Sequence, residues 1–260
     1  MAYSNSFQKE LLFGKEIALK AGELMLRFSE GDQQKHMKED TTPVTIADTM
    51  INDMIIAEIA KQFPEDIVVG EEKSTGSYGM GRRWVCDPID GTAAYTIGLP
   101  SSMFSIALVV DGKPRVAVAY EPHRKQLYTA AAGQGSYCND LKLVVSRERM
   151  DEALIGLAPD YIRPQFINES FMKKLLAYDK QLAIFPGAVF RSCMVASGRI
   201  AGFPHPRVKP YDIAAVHLIV EEAGGKVTDT KGQIISYLKE FRGAVISNGV
   251  IHEDLLALFT

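Results

Sequence analysis

Residues 84–92 read Trp84-Val85-Cys86-Asp87-Pro88-Ile89-Asp90-Gly91-Thr92, a short apolar strand that leads directly into two carboxylates. Carboxylates at the end of a buried strand repel one another and lose hydration, so they are costly unless they are paired or bind a cation. Mg²⁺ would remove this cost, because it prefers hard oxygen ligands. The alternative is that Asp87 or Asp90 caps a helix beginning near Thr92 and that nothing binds there.

Three further acidic motifs stand where an apolar segment ends or a helix begins. They are Val68-Val69-Gly70-Glu71-Glu72, Thr45-Ile46-Ala47-Asp48 and Pro210-Tyr211-Asp212-Ile213-Ala214-Ala215. Taken alone, each has a simple structural interpretation: Glu71 fits a solvated strand end, whereas Asp48 and Asp212 fit helix N-caps, which need no metal. Only as a set do the motifs indicate a cation site.

The rest of the sequence predicts helices and strands in an order that suggests packed layers. Apolar residues at spacings of three and four predict helices over residues 7–28, 48–63, 169–178, 189–197, 212–223 and 252–259. Short apolar or alternating runs predict strands over residues 67–70, 84–86, 104–110, 116–120, 126–132, 182–185, 226–228 and 244–247. The first five strands, with Asp111-Gly112 as a hairpin turn, predict an antiparallel meander.

This order favours layered α/β or α+β packing. Because we find no internal repeat, low-complexity tract or long linker, we expect residues 1–260 to form a single domain. It would contain two sub-regions, of about 1–145 and 146–260, that divide around residues 141–150.

The composition excludes several functional classes. The 260 residues include 29 Lys and Arg against 32 Asp and Glu, a formal net charge of −3, and nonspecific nucleic-acid binding usually needs a strong basic excess. The cysteines, Cys86, Cys138 and Cys193, form no CxxC pair, which argues against a zinc ribbon and fits a reducing cytoplasm. No window approaches the ~18 apolar residues of a membrane span, and the N-terminus lacks a signal-peptide core. We therefore expect a soluble, cytoplasmic protein with no nucleic-acid or membrane partner.

Together the acidic motifs resemble, in order, those of the inositol monophosphatase family of Mg²⁺-dependent phosphatases. The matching segments are Pro43-Val44-Thr45-Ile46-Ala47-Asp48, Gly70-Glu71-Glu72, Asp87-Pro88-Ile89-Asp90-Gly91-Thr92, Tyr211-Asp212-Ile213-Ala214-Ala215 and Glu222-Ala223-Gly224-Gly225. The resemblance extends over about residues 8 to 255. It implies an α+β fold, the layered αβαβα sandwich of this family and of fructose-1,6-bisphosphatase.

The resemblance also implies a cluster of two or three Mg²⁺ ions. Glu71, Asp87 and the backbone carbonyl of Ile89 would hold the first ion. Asp87, Asp90 and Asp212 would hold the second, and Glu71 would face the weakest site. A phosphate monoester brings two negative charges into this pocket, which is untenable without cations, and two metal ions would turn the repulsion into a clamp.

Three residues are implied to act in catalysis. Thr92 and Asp48 would orient or deprotonate the attacking water, together with Glu71. The backbone amides of Gly91 and Thr92 would receive the phosphate at a helix N-terminus. Family habit further implies a homodimer and inhibition by Li⁺.

The residues implied to contact the substrate are Asp90, Gly91, Thr92, Gly187, Ala188, His205 and Asp212. Gly187-Ala188 resembles the family's Gly-Ser-Ala substrate loop, with Ala188 in place of the serine. His205 stands where the inositol-phosphate branch carries a glutamate that meets a substrate hydroxyl. The default substrate is a small polyol phosphate, myo-inositol 1-phosphate.

Other functions stay open at this point. Asp40–Asp48 and Lys209–Asp212 also look like the histidinol-phosphate phosphatase branch. The basic run His205–Lys209 could instead hold the second phosphate of fructose 1,6-bisphosphate or adenosine 3′,5′-bisphosphate, or form a solvated surface. A binding protein that has lost activity is the non-enzymatic alternative, although the acidic set is complete.

Overall fold

The computed structural model describes residues 7–29, 36–37, 43–159, 169–177 and 182–260. The helices of these residues are α1 Gln8–Ser29, α2 Ile46–Gln62, α3 Thr92–Tyr95, α4 Glu169–Leu176, α5 Ala188–Ala196, α6 Pro210–Glu222 and α7 His252–Ala257. The strands are β1 His36–Met37, β2 Pro43–Val44, β3 Ile67–Gly70, β4 Arg82–Asp90, β5 Met103–Val110, β6 Lys113–Glu121, β7 Gln126–Ala131, β8 Ser136–Cys138, β9 Leu141–Lys142, β10 Ile155–Leu157, β11 Leu182–Ile184, β12 Gly202–His205, β13 Lys226–Thr228 and β14 Ala244–Ser247.

The larger sheet has seven strands in the order β3-β4-β5-β6-β7-β8-β9. Strand β5 shows why this sheet is sandwiched between other layers, because both of its faces are buried. Phe104, Ile106 and Leu108 pack on one side, and Met103, Ala107 and Val109 pack on the other. Since side chains alternate along a strand, an unbroken apolar run predicts burial on both faces.

The smaller sheet has five strands in the order β11-β10-β12-β14-β13. Strands β10, β11 and β12 run parallel, whereas β14 is antiparallel to both of its neighbours. Strand β12 therefore lies in the middle of this sheet, where its last residue is His205.

The layers follow the order αβαβα. Helices α1 and α2 cover one face of the larger sheet, α5 and α6 lie between the two sheets, and α7 packs on the outer face of the smaller sheet. One apolar cluster joins the inner faces of both sheets to α5 and α6, and two further clusters fill the outer interfaces. This arrangement confirms the predicted α+β layered sandwich.

Two details of the sequence-based topology are wrong. Strand β3 pairs parallel with β4, so it is not part of the antiparallel meander, and residues 71–81 run back from the end of β3 to the start of β4. Strands β10 and β12 were not predicted at all.

The predicted residues Tyr178 and Asp40–Thr42 lie outside the described ranges. In the chain segments described, no helix combines the length and apolarity that crossing a bilayer requires.

Candidate active site

A β-bulge places Asp87 and Asp90 on the same face of the larger sheet. Asp87 pairs with Ser105 and Asp90 with Met103, so three steps along β4 match two steps along β5. Residues three apart in a regular strand point to opposite faces, and one extra residue restores a common face. Both carboxylates therefore point into the layer that contains α6.

Asp212, near the start of α6, completes a cluster with these two carboxylates. One ligand oxygen from each of Asp87, Asp90 and Asp212 lies within 4.8 Å of the others. Asp87 is 1% exposed, and its Oδ1 has no hydrogen-bond partner among the described residues. Burial, followed by the charge of Glu71, raises the pKa of Asp87 and of Asp212 well above the usual range.

These observations fit a divalent cation. A buried carboxylate oxygen without a donor is destabilising, and a cation would satisfy it and relieve the mutual repulsion. The donor set consists of hard oxygen atoms, as Mg²⁺ prefers. Glu71 does not belong to the 4.8 Å group, although its half-buried side chain lies close enough to raise the pKa of all three of its members.

Asp212 also caps its own helix. It is the third residue of α6, Pro210 is the first, and the backbone amide of Lys209 donates to Asp212 Oδ2 at 2.6 Å. The N-cap is thus Lys209, which corrects the alternative that Asp212 is the N-cap. Capping uses only Oδ2, so the two roles of Asp212 are compatible.

Asp90 joins the cluster to the N-terminus of α5. Its Oδ1 and Oδ2 accept the backbone amides of Ala188 and Val189, each at 2.9 Å. These bonds and the buried Arg191 oppose the effect of burial, which raises the pKa of Asp90 to about 6. The residue does cap a helix, but this helix is α5; the N-cap of α3 is Gly91.

Two glycines allow this close approach. Gly187 has a φ of 91°, and a Cβ atom there would lie 2.7 Å from the carbonyl oxygen of Ser101 and 3.0 Å from Asp90 Oδ2. Gly91 has a φ of 78°, and its Cβ atom would lie 3.2 Å from the Cα of Gly187. The segment predicted to bind substrate therefore lies directly against the segment predicted to receive phosphate.

Asp48 and Thr92 face one another at the start of α2 and α3. Thr92 Oγ1 is 3.5 Å from Asp48 Oδ1 and donates a shorter bond, 3.0 Å, to the carbonyl oxygen of Ile89. Thr45 donates to Asp48 Oδ2 through both its amide and its hydroxyl. Burial is the main reason why the pKa of Asp48 rises to about 7. The hydrogen bonds from Thr45 lower this pKa, and the charges of Glu72 and Glu71 raise it further.

His205 lies at the end of β12 and is 8% exposed. Its Nδ1 accepts the backbone amides of Arg207 and Val208, each at 3.1 Å, so a neutral ring carries its proton on Nε2. Burial, then Arg191 and Arg207, lower the pKa of His205 well below its usual value. A protonated His205 serving a second phosphate is therefore disfavoured.

Sequence reasoning overlooked Arg191. This residue is 3% exposed, donates to the carbonyl oxygen of Phe185 and lies with its guanidinium carbon 4.3 Å from the ring centroid of Phe203. An arginine inside the apolar run of α5 was the available signal, because arginine is seldom fully buried unless it has partners.

Comparison with known proteins identifies the class of this fold and site. The sequence model of the inositol monophosphatase family matches residues 8–260, and the chain belongs to this family of phosphatases. The resemblance drawn from the motifs is confirmed.

Named relatives carry different functions. A Thermotoga maritima protein named fructose-1,6-bisphosphatase/inositol-1-monophosphatase is 31% identical, with 94% of this chain and 93% of that protein covered. A histidinol-phosphatase of Chlorobaculum parvum is 34% identical, with 95% of both chains covered. The Nus factor SuhB of Pasteurella multocida is 34% identical, with 83% of both chains covered.

Solved structures show the same fold. The Thermotoga maritima IMPase superposes with a TM-score of 0.86 at 28% identity, covering 96% of each chain. The comparisons thus establish the phosphatase family, whereas the names of the relatives differ in substrate.

Proposed function

We propose that this protein is a Mg²⁺-dependent phosphatase that hydrolyses a small phosphate monoester, with myo-inositol 1-phosphate as the default substrate. The observation that carries the proposal is the buried Asp87 Oδ1, which lacks a hydrogen-bond donor inside a cluster of three carboxylates. A chain that had lost its cation would gain stability by replacing such a residue.

The residues proposed to hold two or three Mg²⁺ ions are Glu71, Asp87, Asp90, Asp212 and the carbonyl of Ile89. The Ile89 oxygen accepts one hydrogen bond, from Thr92, and a carbonyl oxygen has a second lone pair for a cation. When bound, such ions supply activation of the attacking water and stabilisation of the leaving oxygen.

The chain's own groups would handle the phosphate and the proton. Thr92 is the first residue of α3, and the first amides of a helix have no intrahelical acceptor, so the amides of Gly91 and Thr92 can donate to phosphate oxygens. Thr92 Oγ1 would orient the attacking water. Asp48, with its pKa raised to about 7, would accept the proton, and Glu71 would assist from the end of the neighbouring strand β3.

The surroundings of His205 favour a neutral or anionic leaving group over a cationic one. Arg191 is buried beside His205, and Arg207 follows it closely; both lower the pKa of the imidazole. A cationic leaving group such as histidinol would meet the same repulsion. A neutral His205 is compatible with an uncharged polyol leaving group, and inositol 1-phosphate, a polyol phosphate, is one of the two substrates in the name of the Thermotoga maritima relative.

A bisphosphate is the second candidate. Arg191 and Arg207 could attract a second phosphate without protonation of His205, and the same relative is also named a fructose-1,6-bisphosphatase.

For partners we propose a small phosphorylated metabolite, since the net charge of −3 does not favour nucleic acid. Inhibition by Li⁺ is a further part of the proposal.

A substrate panel tests the assignment. We expect Mg²⁺-dependent phosphate release, absent in chelator, and the highest kcat/KM for myo-inositol 1-phosphate among inositol 1-phosphate, histidinol phosphate, fructose 1,6-bisphosphate and adenosine 3′,5′-bisphosphate. The default substrate is wrong if it falls more than about tenfold, or about 1.4 kcal/mol, behind another member.

Two variants separate the polyol from the bisphosphate. His205→Glu should raise kcat/KM for inositol phosphate, because a charge-assisted hydrogen bond to the hydroxyl is roughly twice as strong as a neutral one. Arg207→Gln, as the matched control, should leave inositol phosphate hydrolysis unchanged. A loss confined to the bisphosphates in both variants would instead favour the second candidate.

A further inference from the structure

Helix α2 carries a second site-facing polar residue besides Asp48. Asn52 lies four positions later, and residues four apart share one face of a helix. Its side chain is 1% exposed, and its Nδ2 donates a 3.0 Å hydrogen bond to the backbone carbonyl of Lys73. This carbonyl belongs to the turn that follows Glu71 and Glu72.

The turn is folded tightly against the end of β3. Gly70 N donates to Ser74 Oγ at 3.2 Å, and Thr75 N donates to Val68 O at 2.9 Å, which closes the turn on its own strand. Glu71 N donates to Cys86 O at 3.1 Å and so fixes the first residue of the turn to β4. These bonds shape the turn but do not attach it to α2.

Asn52 supplies a buried attachment between α2 and this turn. The other described bond between them joins Lys73 Nζ to Asp53 Oδ1, and both of those side chains are more than half exposed. An exposed ion pair of this kind contributes little. The amide of Asn52 also abuts Gly70, where a Cβ atom would lie 2.4 Å from Asn52 Oδ1 and 2.7 Å from Lys73 O.

The arrangement has a cost that stability alone does not explain. Asn52 Oδ1 is buried and has no hydrogen-bond partner among the described residues. A buried acceptor without a donor is destabilising. The residue nevertheless provides one well-directed donor to the turn that carries Glu71.

We propose that Asn52 is a positioning residue that holds the Glu71 turn against the carboxylate cluster. This inference rests on the proposed function and deepens it, because Glu71 is one of the proposed Mg²⁺ ligands. Helix α2 then positions two parts of the proposed site. Asp48 contacts Thr92 at the start of α3, and Asn52 holds the turn that carries Glu71. Loss of the Asn52 donor releases the turn and weakens cation binding.

The test compares Asn52→Leu with Lys73→Ala. Leucine has the same branched arrangement of heavy atoms but donates no hydrogen bond, whereas Lys73→Ala removes the exposed ion pair and keeps the backbone carbonyl. The readouts are the Mg²⁺ concentration that gives half of the Mg²⁺-induced rise in Tm, and the half-saturating Mg²⁺ concentration, kcat and substrate KM of phosphate release. We expect Asn52→Leu to need about tenfold more Mg²⁺ in both measurements, with kcat at saturating Mg²⁺ close to wild type. Lys73→Ala should stay within about twofold of wild type in both.

Wild-type Mg²⁺ dependence in Asn52→Leu would overturn the inference and leave the proposed function standing. If Asn52→Leu does not fold, Asn52→Ala serves instead, since it also removes the donor to Lys73 O and adds no charge beside Glu71. A wild-type protein whose Tm and phosphate release both ignore Mg²⁺ would overturn the proposed function itself.

Discussion

Asp48 and Asp212 occupy the same position in two different helices. Each is the third residue of its helix, and each accepts through Oδ2 the backbone amide of the residue before the helix, Thr45 at 2.8 Å and Lys209 at 2.6 Å. Each carboxylate thus satisfies a helix N-terminus with one oxygen and keeps Oδ1 for the site. Capping, which the sequence presents as an alternative to a role in the site, is therefore compatible with the proposed role of each side chain.

This double role can be separated at Asp212. Asp212→Asn keeps an oxygen that accepts the Lys209 amide but loses the negative charge. We expect its kcat/KM to fall by roughly 100-fold, while its free energy of unfolding in chelator at least equals that of wild type. Asp212→Ala should lose activity and also about 1 kcal/mol of stability with the cap. Full activity in Asp212→Asn would contradict the assignment of this residue to the cation.

Asp90→Asn should remove most activity, because a neutral amide weakens the hold on the second ion. It should also destabilise the protein by about 1–2 kcal/mol, since an asparagine oxygen can serve only one of the Ala188 and Val189 amides and its NH₂ group faces the other. Phosphate release and denaturant unfolding measure the two effects. Unchanged turnover, or full wild-type activity in chelator, would sink this prediction.

Gly187→Ala tests the contact between the α5 loop and Asp90. The alanine would have to adopt a φ of 91° and place its Cβ atom 2.7 Å from Ser101 O, so we expect a loss of roughly 1–3 kcal/mol in stability and a fall in kcat/KM. Gly133→Ala is the matched control: its φ is 75°, but nothing lies within 4 Å of the added atom. If both variants lose equal stability and keep full activity, the close approach at Gly187 is unimportant.

The stability of the protein should depend on pH through His252. This histidine is fully buried between Ser247 Oγ and Thr228 Oγ1, and burial followed by Lys226 lowers its pKa to about 4. The unfolded chain takes up the proton near pH 6.5 and the folded chain only near pH 4, so the contribution of neutral His252 is complete above pH 6.5 and is lost as the pH falls towards 4.

Comparing the urea unfolding of wild type with that of His252→Gln isolates the contribution of His252 to the free energy of unfolding. Carboxylates with raised pKa values also make stability depend on pH, but their contribution grows as the pH falls. The stability advantage of wild type should be about 2 kcal/mol smaller at pH 5 than at pH 7.5. An advantage that is equal at both pH values would show that His252 is not the titrating group.

Homodimerisation stays a prediction from family habit. Light scattering at micromolar concentration should give twice the mass of the 28.7 kDa chain. A monomeric mass under these conditions would count decisively against it.

The sequence predicts the local parts of this molecule well. Helices α1, α2 and α6 and the strands β3 to β7 lie within a few residues of the predicted ranges, because each is marked locally by an apolar run or by apolar residues at helical spacing. Strand β12 escaped prediction because Gly202 and Pro204 are poor strand formers. Gly202 also lies close to α7, since a Cβ atom there would be 2.4 Å from Leu255 Cδ1 and this side chain would have to move.

The parts of the site that sequence could not predict are non-local. Asp90 caps a helix that begins 98 residues later, and no pattern around Asp90 announces this partner. Asp87 and Asp90, three residues apart, would point to opposite faces of a regular strand, so their common face depends on a bulge that becomes visible only in the pairing with β5.

The shared middle layer decides when this chain can become stable during synthesis. Helices α5 and α6 cover the inner face of the larger sheet, yet they are made after every strand of that sheet. Until residue 222 has emerged from the ribosome, an apolar sheet face that includes Val85, Met103, Ala107 and Val109 has no permanent cover. A nascent chain that stops near residue 145 would therefore expose a hydrophobic surface of the kind that chaperones bind. The two halves of the sequence must complete their folding together.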